Sequence, residues 1–400
     1  ENIKGSSQAI ILIPLVLPYL RMVSRIVREK EKRIKEGMKI MGMRNSAFYC
    51  SWFITYFIIF TLASILSSLA FMTFFTHSGW FWIFLWYWET TMGLLAMGIF
   101  ITVLFSKARV ANVTAFFLAL FFGLIEKYAT DQNASEVARF FASLAVCSSM
   151  ASAFNHIVDF EAAEKGLTSE TVGMLYQNYR VTYHYIGTLI SFTILILLSI
   201  YLEQVLPSEF GIKKHPLFCL RRRRDRRETR QVHDSSYKQL DPANFEETDP
   251  SLKAQDANNE SIMVKDLRKI YPNGKLAVDG VSYNMYRGQI FALLGHNGAG
   301  KTSTINMITG LYPATSGTVS VFGKDIHEQL DDIRKIMGVC PQHDVLFDDL
   351  TVAEHLELFA IFKGADRTNL QAEIDKIIED LDLTDKRNYL SKHLSGGQKR

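Results

Sequence analysis

Cysteine is scarce in this 400-residue chain, and the four present (Cys50, Cys147, Cys219, Cys340) lie far apart with no CxxC pair. That spacing suggests neither a disulfide framework nor a zinc site. Net charge is also small: 44 Lys and Arg against 41 Asp and Glu leave +3, too little for a nucleic-acid binder, and the basic residues are clustered. The opening ENIKGSSQ is not the basic n-region of a signal peptide, and its first residue is Glu1. The chain is therefore expected to be an internal piece of a longer protein.

What the chain has in abundance is apolar sequence, confined to its first half. Residues 9–206 hold long apolar stretches, whereas 207–400 have the mixed composition of a soluble domain behind a charged linker. A bilayer core needs roughly 17 to 25 predominantly apolar residues per helix, because in hydrocarbon every backbone polar group must be paired within the segment. Five stretches come close: 7–27, 47–75, 80–105, 110–125 and 183–206. Pro14, Pro18 and Arg21 interrupt the first.

Basic residues stay on the cytoplasmic side of short loops. REKEKRIKEGMK (28–39), SKAR (106–109) and RRRRDRR (221–227) supply three clusters, and four crossings between the first and the last put all of them on one side. A further crossing at 136–158, which carries Arg139, Asn155 and His156, would break that parity. Residues 131–182 are therefore expected to form an outer region with a helical hairpin dipping into the leaflet. The Asn133 sequon lies there, either glycosylated or too close to the membrane to be used; Asn112 and Asn259 match the same pattern but fall at or inside the cytosol. Glu89, inside the third span, is either a polar contact on a substrate path or a protonated group bonded within the bundle.

The alternating charges of 28–39, with pairs such as Glu31 and Lys35, predict a solvated helix leaving the membrane, a natural coupling element if a motor lies beneath it. Residues 208–260 read as a flexible linker, first basic and anion-seeking, then acidic and poor in apolar residues.

Past the linker, 262–271 and 276–286 alternate as strands, and the apolar run QIFALLG (289–295) predicts a buried strand. GHNGAGKTS follows directly: Gly295, His296, Asn297, Gly298, Ala299, Gly300, Lys301, Thr302 and Ser303. In this strand-to-helix setting G-x-x-x-x-G-K-[ST] is a phosphate cradle. The glycines let backbone N–H groups turn inward, the next helix adds its positive end, Lys301 offers a charge to the β and γ phosphates, and the Thr302 hydroxyl can ligate Mg²⁺. Tyr271 either stacks on a base or packs in the core. Gln342, after a short apolar strand, can reach Mg²⁺ or the attacking water, and His343 beside it reads as a loop residue. Helical periodicity over 350–363 and 369–383 separates Gln342 from LSGGQKR, where Ser395, Gly396, Gly397 and Gln398 open a second phosphate-binding helix start. The P-loop already holds the domain's own phosphates, so this second element faces another nucleotide.

GHNGAGKTS, CPQHD and LSGGQKR, in that order behind a membrane bundle, resemble an ATP-binding cassette transporter. EKEKRIKEGMKIMGM, GHNGAGKTSTINMITGL and CPQHDVLFDDLTVAEHL are similar to its subfamily A, and LSGGQKR fits a first half of such a chain. The resemblance implies a multi-domain fold: an α-helical transmembrane bundle, residues 1–207, then an incomplete α/β P-loop nucleotide-binding domain, residues 261–400, on the cytosolic side. It implies ATP and Mg²⁺ as cofactors, with Tyr271 stacking on adenine, Gln342 sensing the γ-phosphate, and Ser395 to Gln398 closing on ATP held by a second cassette. It implies lipids or lipid-like amphiphiles as cargo; an exporter of small hydrophobic compounds and an ATP-gated channel are the alternatives. The family also needs a strand ending in Asp-Glu and a switch histidine, which these residues lack.

Overall fold

A computed structural model describes residues 2–43, 45–129, 135–176, 179–206, 248–271, 273–341 and 344–399. The Asn133 sequon, the arginine cluster at 221–227, Gln342 and His343 lie outside the described residues. The chain divides into two units, Glu1–Lys35 with Asn45–Leu206, and Glu36–Arg44 with Pro207–Arg400.

The first unit is entirely helical apart from its loops. It comprises α1 (Asn2–Glu31), the start of α2 (Ile34–Ile40), α3 (Asn45–Phe71), α4 (Trp80–Leu104), α5 (Ala108–Ala129), α6 (Glu136–Ala142), α7 (Val146–Ala162) and α8 (Val181–Val205). Among the described residues three helices are long and apolar enough to cross a membrane: α3 from Ser46, α4 and α8. α5 contributes a shorter apolar stretch, Ala108–Gly123. The stretch expected to dip into the leaflet is two helices, α6 and α7, broken at Ser143–Ala145.

α4 is the centre of this unit. From Ile83 to Thr102 most of its residues are buried, whereas α3 and α8 expose Ile58, Leu62, Leu66, Leu189, Ile194 and Leu197. Exposed apolar rows of this kind on long helices suit contact with hydrocarbon. Small residues let the helices approach: a Cβ on Gly93 would meet Val146, one on Gly98 would meet Met22, and one on Gly187 would lie 2.6 Å from the Ser143 carbonyl oxygen. Polar side chains tie the same helices, as when the fully buried His184 bonds to Ser149 Oγ (3.0 Å) on α7 and Trp86 O (3.2 Å) on α4. Glu89 on α4 is half-buried, and its Oε2 has no hydrogen-bond partner among the described residues.

The juxtamembrane helix departs from the expectation of one solvated element. α1 stops at Glu31, Arg33 takes a left-handed φ of 59°, and α2 restarts at Ile34. Glu31 does not pair with Lys35; its Oε2 accepts from the backbone N of Ala108 (3.1 Å), satisfying an orphan donor at the start of α5. Lys35 is buried and ion-paired with Glu203 near the end of α8, whose carboxylate also accepts from Tyr49 Oη at 2.7 Å. An ammonium and a carboxylate that neutralise each other outcompete the weak surface pair that charge spacing alone suggests.

In the second unit α9 (Pro250–Ala257) precedes β1 (Ile262–Ile270) and β2 (Leu276–Met285), then α10 (Lys301–Ile308), β3 (Ser316–Val321), β4 (Lys324–Asp325), α11 (Leu330–Ile336), α12 (Val352–Lys363) and α13 (Leu370–Asp380). The end of the expected flexible linker is therefore helical. Asp249 caps it, and Asp256 accepts from Asn284, Tyr286 and Ser261. The strands form one antiparallel sheet in the order β2-β1-β3-β4. Val264, Leu267, Val278, Val319 and Val321 pack beneath Met307 and Ile308 of α10 and Ile333 of α11. α12 begins on a capping box, Thr351 with Glu354, ends at Gly364 (φ 81°), and shares a smaller core with Leu370, Ile374, Ile378 and Leu394.

Two expected strands are not formed. Residues 289–295 run without a ladder partner, leaving Ile290 and Leu294 exposed, while Phe291 stacks on Tyr283 at 5.1 Å. Residues 337–341 before Gln342 are likewise irregular. A continuous apolar run is stable as a strand when neighbours cover both its edges and both its faces. No described strand pairs with either segment.

Candidate nucleotide-binding site

The glycine-rich loop 295–300 leads directly into α10. Gly298 and Gly300 have φ of 87° and 89°, a region L-residues with a Cβ rarely occupy. Gly300 is constrained twice, because a Cβ there would run into the carbonyl oxygen of Ala277 on β2. The loop therefore lies tight on the sheet at Gly300 and open at Gly298, where a Cβ would meet nothing.

Gly300 is the N-cap of α10 and offers no side chain, so the first N–H groups of the helix have no capping partner. Donors with no acceptor at the positive end of a helix make an anion site. Ala299 N donates back to His296 O (3.1 Å), which holds the loop curled. His296 Nδ1 lies 2.8 Å from Asn297 O, so both residues shape the turn.

Lys301 folds back over this loop, its Nζ donating to Gly295 O (2.6 Å) and His296 O (2.9 Å). Thr302 is exposed at the helix start. Its hydroxyl suits Mg²⁺, which keeps most of its shell in water and phosphate oxygen and takes few protein ligands. Among the described residues no cluster of His, Cys, Asp or Glu could hold a metal by itself.

Tyr271 stands beside the loop rather than in the sheet core. It follows β1, is half-buried, and its hydroxyl is 3.0 Å from Ser303 Oγ. The structure thus brings together Tyr271, the glycine loop, Lys301, Thr302 and Ser303. Sequence reasoning missed Lys269, which is buried with its Nζ 5.5 Å from the Tyr271 ring centroid, because alternation along β1 places it on the outer face.

Ser395 and Gln398 bond each other reciprocally: Ser395 N donates to Gln398 Oε1 (3.1 Å) and Gln398 N to Ser395 Oγ (3.4 Å). This is the capping box S-x-x-Q, with Gly396 and Gly397 exposed between its ends. The expected helix is present only as turns over 396–399. Just upstream, Ser391 Oγ donates to Phe347 O (2.6 Å), fastening this segment to the loop that follows Gln342.

Residues 278–400 match the family model of the ABC transporter ATPase domain, described as "ABC transporter", and residues 5–202 match "ABC-2 family transporter protein". The chain belongs to the ATP-binding cassette transporters. Its relatives are members of subfamily A. ATP-binding cassette sub-family A member 2 of Rattus norvegicus is 31% identical over 97% of this chain and 17% of its own length. The Cholesterol transporter ABCA5 of Mus musculus is 30% identical over 98% of the chain and 25% of its own length. The Retinal-specific phospholipid-transporting ATPase ABCA4 of Mus musculus is 32% identical over 96% and 18% respectively. This ABC transporter chain thus spans a quarter or less of the relatives it matches.

Proposed function

We propose that this chain is the membrane and nucleotide-binding part of one half, the first, of an ATP-driven transporter that moves lipids or lipid-like amphiphiles. The observation that carries ATP use is the loop 295–303, where uncapped helix donors, two left-handed glycines and the Lys301 ammonium converge on one anion site. Lipid as cargo is supported by the relatives that carry cholesterol and phospholipid in their names.

In this reading Lys301 leaves the Gly295 and His296 carbonyls to meet the β and γ phosphates, and the α10 N–H groups take the remaining oxygens. Thr302 and Gln342 would hold Mg²⁺, which neutralises phosphate charge when bound. Tyr271 offers a face to adenine. Ser395 to Gln398 have their backbone donors ordered by the capping box, and close on ATP held by a second cassette in the same protein. α1, α3, α4, α5 and α8 cross the membrane, α6 and α7 dip into the outer leaflet, and the cassette is cytosolic.

α2 is the coupling element. Its first turn is anchored by Lys35 to Glu203, and within the second unit Gly37 lies against Val345, three residues past Gln342.

Purified full-length protein in proteoliposomes tests the cargo. ATP-dependent movement of a fluorescent phospholipid is expected, with ATP turnover that phospholipid stimulates. Robust turnover with no lipid movement, but with ATP-dependent export of small hydrophobic dyes or ion passage, would overturn the lipid reading.

A further inference from the structure

The strand carrying Tyr271 contains an irregularity that decides which residues surround that ring. β1 is buried at Val264, so strict alternation would bury residues 266, 268 and 270. Instead Leu267 and Lys269 are buried, and Arg268 and Ile270 are exposed. The pairing with β2 shifts between Val264 and Leu267, where Asp266 takes φ 46°. A bulge inserts one residue and moves everything after it to the opposite face. Room for it comes from two glycines: a Cβ on Gly280 would lie 2.7 Å from Asp266 Oδ1, and one on Gly317 would strike the Asp266 carbonyl.

The consequence is a lysine on the inner face, 8% exposed. Its Nζ donates to Pro313 O (2.6 Å) and makes no ion pair among the described residues. It lies 5.5 Å from the ring centroid of Tyr271 and 5.6 Å from that of Tyr312, both within cation–π range. The two rings meet edge to face at 6.2 Å and 86°, and the Tyr271 hydroxyl is held by Ser303. The Tyr271 ring is therefore fixed by three contacts: an ammonium, a second ring and the phosphate loop itself. A buried ammonium without a carboxylate is costly, and burial holds its pKa below the usual lysine value. A methionine would pack the same space without that cost.

We infer that Lys269 is a positioning and specificity residue for the nucleotide base: through the cation–π contact it fixes Tyr271 and draws its π electrons inward, favouring an electron-rich, extended purine on the ring. This deepens the ATP reading above and rests on it. Tyr312 is the second support, and Ser303 makes the base platform and the phosphate loop one unit.

The test uses full-length protein in proteoliposomes, comparing wild type with Lys269→Met, Lys269→Arg and Tyr312→Leu by KM and kcat for ATP and by competition with CTP. Lys269→Met is expected to raise KM for ATP about three- to tenfold, the range of a cation–π contact, with kcat within about twofold, and to narrow the preference for ATP over CTP. Lys269→Arg, which keeps charge and stacking, should restore most of both. An unchanged KM in Lys269→Met, a fall confined to kcat, or no rescue by arginine would overturn the inference. Should Lys269→Met not fold, Tyr312→Leu decides: raised KM with a narrowed ATP preference supports the inference, and wild-type values for both overturn it. Wild-type protein that neither binds nor turns over ATP would instead defeat the functional reading.

Discussion

The Lys301 ammonium lies 2.6 Å from the carbonyl oxygen of Gly295, six residues earlier, so the loop's one lysine folds back over its own backbone. In the proposed function phosphate oxygens, charged and better acceptors than a carbonyl, take over that ammonium. Lys301→Met should therefore weaken ATP binding at this cassette at least tenfold, since charge-assisted bonds contribute about 1.5–3 kcal/mol. Photolabelling by 8-azido-ATP across a concentration series checks it.

Gly300→Ala places a Cβ in a left-handed residue and against the Ala277 carbonyl, where the sheet cannot give way. Nucleotide binding should be lost together with about 1–3 kcal/mol of stability. Gly298→Ala, left-handed as well but facing open space, should cost less. Thermal unfolding and photolabelling of the two variants give the order.

Gly37 has no room for a methyl group beside the Val345 side chain. Gly37→Ala should reduce ATP-driven transport more than ATP turnover, by loosening the seat of α2 against the loop after Gln342. Val345→Ala in the same chain should restore coupling. Turnover and lipid movement in one preparation would show the split.

Lys35→Met leaves the largely buried Glu203 carboxylate with only the Tyr49 hydroxyl (2.7 Å) and the more distant Lys30 ammonium (3.9 Å). Breaking a buried pair outright costs about 3–5 kcal/mol, and the residual Lys30 pairing should keep the loss below that range. Adding Glu203→Gln, which keeps a hydrogen bond to Tyr49, should recover most of the loss. Unfolding midpoints in detergent for the two single variants and the pair test this.

His355 on α12 is buried and neutral: Phe347 N–H donates to Nε2 (2.9 Å), which leaves Nδ1–H to donate to Thr351 O (2.9 Å). Burial holds its pKa below the ordinary 6.5, against the opposing pull of the Thr351 carbonyl and the Glu354 carboxylate. The unfolded chain thus binds the proton more readily, so this contribution is complete above about pH 6.5 and is lost as pH falls from there through the folded pKa. The cassette's unfolding midpoint should drop on acidification to about pH 5, and His355→Gln should flatten that dependence.

Much of this was legible before any coordinates. Five apolar stretches lie on α1, α3, α4, α5 and α8, and among the described residues three of these helices are long and apolar enough to cross a membrane; Gly298 and Gly300 take the left-handed turns that a glycine-rich loop permits. Other features depended on distant partners. The strand at 289–295 requires neighbours that no described segment supplies. Glu31 and Lys35, four residues apart, point to each other in sequence, yet the first caps α5 and the second pairs with Glu203, 168 residues away. Lys269 was invisible because alternation runs straight through Asp266, whereas the bulge there reverses which side chains turn inward.

The most direct test is ATP-dependent movement of a fluorescent phospholipid in proteoliposomes holding either wild-type full-length protein or Lys301→Met, with ATP turnover measured alongside. The account predicts movement by the wild type and its loss, with reduced turnover, in the variant. Equal movement by both proteins, at equal turnover, would contradict the claim that the phosphate cradle at Gly295–Ser303 drives transport.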